Sequence, residues 1–153
     1  MNLLKMVRHK VSKKFIFSFV FFFIFYTLDH SVTNIVSQGD FTLEANPLAR
    51  LWWQILGPFR HIELLLWPFA VFVTSYTIDS KNHFLPLFWL NMLAFNHLIG
   101  ALTWVPSVNL TFLYSLVKYD WALGYTTTLV GLLIGLPFTF FQTRINFKQR
   151  KLK

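Results

Sequence analysis

The sequence predicts an all-α integral membrane protein, a bundle of four transmembrane helices with one or two short interfacial helices. Three observations carry this. Of 153 residues, 55% are hydrophobic and 13% charged, whereas a soluble domain carries about 25% charged residues. Four stretches reach the roughly 20 apolar residues that a helix rising 1.5 Å per residue needs to cross the bilayer core. The basic residues gather outside those stretches, in the pattern that orients membrane proteins.

The first span is predicted at 15–36. It follows a basic flank, 1–14, and has no Ala-x-Ala-like cleavage site, so it reads as a retained anchor. The connection after it contains Asn46-Pro47, a good cap and first-turn pair. Leu48, Leu51, Trp52, Ile55 and Leu56 follow at helical spacing, and Gly57-Pro58 makes a break. This predicts a short interfacial helix with Trp52 and Trp53 at headgroup level. The second and third spans are predicted at 58–78 and 84–104, with a short turn between them that contains Lys81. In 105–120, Leu110, Leu113, Leu116 and Val117 with Tyr114 and Tyr119 suggest a second interfacial helix. The fourth span is predicted at 121–141, before a basic tail, 142–153.

Eleven of the 14 Lys and Arg residues fall on the two termini and the 79–83 turn, and Arg50, Arg60 and Lys118 fall on the other side. The positive-inside rule therefore puts both termini in the cytoplasm and requires an even number of crossings. A net charge of +8 is then a topology signal touching anionic headgroups, with no nucleic-acid partner implied. A prokaryotic plasma membrane is the expected location. The absence of cysteine excludes disulfides, Cys-based zinc sites and thiolate catalysis.

Ionisable groups inside spans are costly, so each is a candidate functional residue. Span one carries Asp29 and His30, span two Glu63, and span three Asn91, Asn96 and His97. At 1.5 Å per residue Asp29, Glu63 and His97 all fall roughly 20–24 Å from the inner boundary. Tyr26, Asp29 and Thr33 share one face of the first span, with His30, Asn34 and Ser37 beside it. Asp29, His30, Thr33, Glu44, Asn46, Glu63, Asn96 and His97 form the candidate polar cluster. Asp29, Glu63 and His97 are competent ligands for a divalent metal, although no cofactor is required by the sequence. Equally they could exchange protons, or simply pair with one another and with Arg60 as a clamp. His9 and His83 read as solvated residues.

Gly124, Thr128, Gly131 and Gly135 lie at i, i+4, i+7 and i+11 on the fourth span, a small-residue face for close helix packing. It serves either this bundle or another subunit.

The run Asp29-x-x-x-Thr33, Gly39 and Glu44-Ala45-Asn46-Pro47-Leu48 resembles the opening of a group of small bacterial and archaeal membrane proteins of unknown function. That resemblance implies a fold type and a polar site marked by Asp29, Thr33, Glu44, Asn46 and Pro47, without a reaction. The group often has a lysine near the start of its second span, where this chain has Arg60, His61 and Glu63. Two functions are expected to compete: an accessory or scaffolding subunit of a larger membrane complex, and an outward-facing intramembrane site for a small molecule, a proton or metal-assisted chemistry.

Overall fold

A computed structural model describes residues 11–38, 40, 47–79, 82–104 and 120–150, with side chains throughout except at 47, 48, 60, 120–124 and 145–150. Glu44, Asn46 and the second interfacial helix expected within 105–119 lie outside the described residues. Five α-helices account for most of the rest: α1 (Lys13–Val36), α2 (Pro47–Leu56), α3 (Glu63–Asp79), α4 (Phe84–Thr103) and α5 (Asp120–Arg150). A 3-10 helix, Gly57–Ile62, joins α2 to α3, and the described residues contain no strand.

Local chemistry sets the ends. Ser12 caps α1 by accepting from the Phe15 N–H at 3.1 Å, as an N-cap hydroxyl does. Asn82 Oδ1 accepts from the N–H groups of Phe84 and Leu85 at 2.9 and 3.3 Å and so opens α4. Gly57, with φ +53°, ends α2, a left-handed conformation that costs glycine little.

Two boundaries differ from expectation. The segment predicted as one helix over 58–78 begins as the 3-10 helix and becomes α3 only at Glu63. Gly57 takes a left-handed turn there and Pro58 has no N–H to give. The fourth helix runs on to Arg150, because its basic tail contains good helix formers and neither Gly nor Pro. At 31 residues, α5 is about 46 Å long.

The helices alternate in direction. Phe21 meets Phe95 and Asp29 meets His97, so α1 and α4 run parallel. Tyr26 meets Glu63 while Phe15 and Phe19 meet Phe72, so α3 runs the other way. Gly131 abuts Asn96, Gly135 abuts Met92, Thr139 meets Asn91 and Phe140 meets Phe84, so α5 is antiparallel to α4. The α4 helix is central: it packs along α1 and α5 and, less extensively, on α3.

Phenylalanine fills the middle. Phe21, Phe95 and Phe138 contact one another with ring centroids 5.5–6.0 Å apart. Phe72 receives the edges of Phe15 and Phe19 at 5.8 and 5.0 Å, the edge-to-face geometry that aromatic quadrupoles favour.

The small-residue face of α5 is used inside this bundle. A Cβ on Gly131 would lie 2.8 Å from the Met92 carbonyl oxygen, and one on Gly135 would lie 2.9 Å from Met92 Cα and N. Backbone meets backbone there, as in other small-residue crossings. Thr128 is half-buried on the same helix and Gly124 lies in its first turns.

Among the described residues three helices are long and apolar enough to cross a membrane: Lys13–Val36, Phe84–Thr103 and, within α5, Tyr125–Arg144. The fourth, α3, has 17 residues.

Candidate functional site

The site lies where α1 ends and α3 begins. On α1 the buried face runs Phe15, Ser18, Phe22, Tyr26, His30 and Thr33, steps of three and four residues that keep one side of a helix inward. Asp29 sits at the edge of this stripe. The face expected around Tyr26, Asp29 and Thr33 is therefore centred one residue on, with His30 buried and Asp29 partly exposed.

Asp29 Oδ2 pairs with His97 Nδ1 at 2.8 Å, joining α1 to α4. The two side chains are 22% and 18% exposed, so the pair is open on one side. Gly100, nearly one turn beyond His97, makes room for the carboxylate: a Cβ there would stand 2.9 Å from both Asp29 oxygens. Tyr26 turns the edge of its ring against His97, with centroids 5.0 Å apart and planes at 80°. Phe22 lies beneath at 5.9 Å. The imidazole is thus held by a carboxylate on one atom and by two rings around it.

Glu63 joins the cluster from α3. Its main-chain carbonyl accepts the Tyr26 O–H at 3.1 Å, and its Oε2 accepts the Trp53 indole N–H at 2.8 Å. Trp53 is 3% exposed and stands edge-on to His30 at 5.3 Å. Of the two tryptophans expected at headgroup level, Trp52 is exposed and Trp53 points into the protein. Trp53 lies off the stripe of Leu48, Leu51, Trp52, Ile55 and Leu56, and its contacts with Glu63 and His30 turn it inward. Leu51, Trp52 and Ile55 all face outward, so α2 turns its apolar face away from the bundle.

His61, on the 3-10 helix, is exposed, and its Nδ1 lies 3.5 Å from His30 Nε2. Thr33 is buried nearby on α1. Asn96 instead packs against Gly131 of α5, and its Oδ1 is buried without a hydrogen-bond partner among the described residues. Among the described residues no three His, Asp or Glu side chains converge as a metal site. Asp29, Glu63 and His97 therefore share a layer but not a coordination point, because Trp53 holds the Glu63 carboxylate.

A second polar cluster lies toward the opposite end. Asn91 Nδ2 donates to Thr139 Oγ1 and to Gln142 Oε1, each at 2.9 Å, and Ser18 lies 3.4 Å from the Gln142 amide. Lys14 donates to the Gln142 main-chain carbonyl. Ser18, Asn91 and Thr139 are fully buried. Of these, Asn91 alone stands out in the sequence as a polar residue within a span. Nearby in the chain, exposed His83 bonds to buried Asp79 at 2.9 Å, so the histidine expected to be merely solvated serves a buried carboxylate.

Comparison with models of protein families, with curated proteins and with solved structures gives no match, so the resemblance drawn from Asp29 to Leu48 has no support beyond those residues.

Proposed function

We propose that the chain is a four-span integral membrane protein that binds a small polar solute, with proton exchange, at the Asp29–His97 pair. The four-crossing reading rests on direction. Because α1 and α4 run parallel, the chain between them returns across the same height. The returning element is α3, which at 17 residues is about 25 Å long and lies at the short end of the spanning range. The positive-inside rule then puts both termini in the cytoplasm and the Asp29–His97 pair near the opposite face. The outward apolar side of α2 suits the headgroup boundary there.

One observation carries the binding reading: the Asp29–His97 pair is hydrogen-bonded, cradled over Gly100 and yet partly exposed. Buried polar pairs that only clamp helices are sealed, as Asn91 and Thr139 are. A carboxylate and an imidazole open to one side offer an acceptor and a titratable donor to a solute, and intramembrane groups of this kind mark solute and proton paths. The alternative of an accessory subunit drew on the glycine face of α5, and Gly131 and Gly135 of that face are occupied by α4. Other membrane proteins therefore have less claim as obligatory partners than the bilayer itself.

The test is thermal stability of the purified protein against a panel of small amines, carboxylates, phosphates and sugars, for wild type and for the Asp29→Asn, His97→Ala double variant. A ligand at 100 times its dissociation constant stabilises the folded state by about 2.7 kcal/mol. The expected result is a solute class that stabilises wild type and not the double variant. Equal stabilisation of both proteins, or of neither by any member of the panel, would overturn the reading.

A further inference from the structure

Asp29 sits within the first span with no Lys or Arg beside it: among the described residues the polar partner of its carboxylate is the His97 imidazole. A carboxylate in a spanning helix is costly unless a positive charge or water meets it, and an imidazole is charged only when protonated. Glu63, the second carboxylate of this end, accepts from the neutral Trp53 indole and likewise pairs with no Lys or Arg among the described residues. Tyr26 links it to the pair, with its O–H on the Glu63 main chain and its ring against His97. Two carboxylates thus stand at one end of the bundle without a fixed cation.

The hydrogen bonding points the same way. Asp29 Oδ2 accepts from His97 Nδ1, so in the neutral ring the lone pair lies on Nε2. Among the described residues neither Asp29 Oδ1 nor His97 Nε2 has a hydrogen-bond partner, and neither is a buried unpartnered atom, so both are reached from outside. Both open atoms are acceptors. The Gly100 main chain lies under the carboxylate, where a Cβ would stand 2.9 Å from each oxygen, and Phe22 and Tyr26 flank the imidazole at 5.9 and 5.0 Å. The approach that remains suits a small head.

We infer that the solute of this site is a small organic cation with N–H donors, a primary ammonium or a guanidinium, which donates to Asp29 Oδ1 and to His97 Nε2. The inference rests on the solute site proposed above and names its chemical class. Such a cation supplies what the intramembrane carboxylate lacks, a positive charge and donors together, and hydrogen bonds between ionised partners are the strong ones. An anion would face two carboxylates and find no donor. A neutral polyol would bring donors without the charge. Among the described residues no three His, Asp or Glu side chains converge on one point, as a bare metal ion would need, whereas an organic cation carries its own donors to acceptors that stand apart.

The experiment is thermal stability of the full chain in detergent, at constant ionic strength, against methylammonium, methylguanidinium, tetramethylammonium, acetate, phosphate and glycerol. Methylammonium and methylguanidinium are expected to raise the melting temperature of wild type saturably, and acetate, phosphate and glycerol to leave it unchanged. Tetramethylammonium, which carries the charge without an N–H, is expected to bind at least about tenfold more weakly, the worth of one hydrogen bond to a charged group. Asp29→Asn and His97→Ala are each expected to lose the shift, while Asn91→Ala, at the other end of the bundle, keeps it. The comparison of the two ammonium ions uses wild type alone, so it decides the matter even where a variant does not fold. A saturable shift by acetate, phosphate or glycerol that the Asp29→Asn, His97→Ala double variant loses would overturn the cation and leave the solute site standing. No shift by any probe would overturn both. Equal binding of tetramethylammonium and methylammonium, or an ammonium shift that Asp29→Asn retains, would overturn the proposal.

Discussion

The two polar clusters of this bundle use similar numbers of hydrogen bonds to opposite ends. At one end Ser18, Asn91, Thr139 and Gln142 are neutral, and the first three are fully buried. At the other, Asp29, Glu63, His97, His30 and His61 are ionisable, and several reach the surface. Neutral groups sealed between helices gain from pairing, although Asn91 Oδ1 is buried there without a hydrogen-bond partner among the described residues. Charged groups placed near an opening keep a hydration they would otherwise lose at a cost of several kcal/mol. The difference teaches which polar contacts hold the helices together and which face a partner.

The strongest way to break the sealed end is to push its helices apart. Gly135→Val places a Cβ where Met92 Cα and N stand 2.9 Å away, and main chain cannot swing aside. Overpacking of this kind costs about 1–3 kcal/mol. Denaturation in SDS followed by circular dichroism should show a loss in the upper part of that range. A loss under about 0.5 kcal/mol, the usual effect of a neutral surface change, would mean that α4 and α5 do not meet there.

Asn91→Ala removes two interhelical hydrogen bonds and should cost about 1–2 kcal/mol, the range that model peptides give for polar contacts in membranes. Solute binding at the other end should be unchanged, since Asn91 and His97 lie six residues apart on α4, about 9 Å along its axis. Asp29→Asn reverses the pattern: it keeps a partner for His97 and should alter stability by less than about 1 kcal/mol, while solute stabilisation is lost. If both substitutions changed stability alike and neither touched binding, the contrast between a sealed and an open cluster would fail.

Much of this was legible in the sequence because hydropathy and charge are properties of long segments. The first and third apolar stretches became helices at nearly the expected places, and the fourth begins where expected but runs nine residues further. Depth counting brought Asp29 and His97 to the same level, and their side chains meet. What counting could not give was rotation. His30 rather than Asp29 lies at the centre of the buried face, Asn96 turns to α5, and Trp53 turns inward. Each depends on a fraction of a helical turn, which the packing of neighbours decides. Gly100 is one small residue of the third apolar stretch. Its task is to leave space for a carboxylate on another helix, and this needs the second helix to be read.

The smallest effect expected is also the most selective. Trp53→Phe keeps a ring against His30 and removes the indole N–H that Glu63 Oε2 accepts. A hydrogen bond to a charged group contributes about 1.5–3 kcal/mol and a neutral one about 0.5–1.5; with water able to replace the donor at this open end, the lower figure applies. The loss should therefore be about 0.5–1 kcal/mol, below that of Asn91→Ala, although both variants remove bonds of similar length. At a sealed end nothing replaces a lost donor; at an open end water does. A loss from Trp53→Phe as large as that from Asn91→Ala would show that Glu63 is as sealed as Asn91, and would move Glu63 from the open cluster to the structural one.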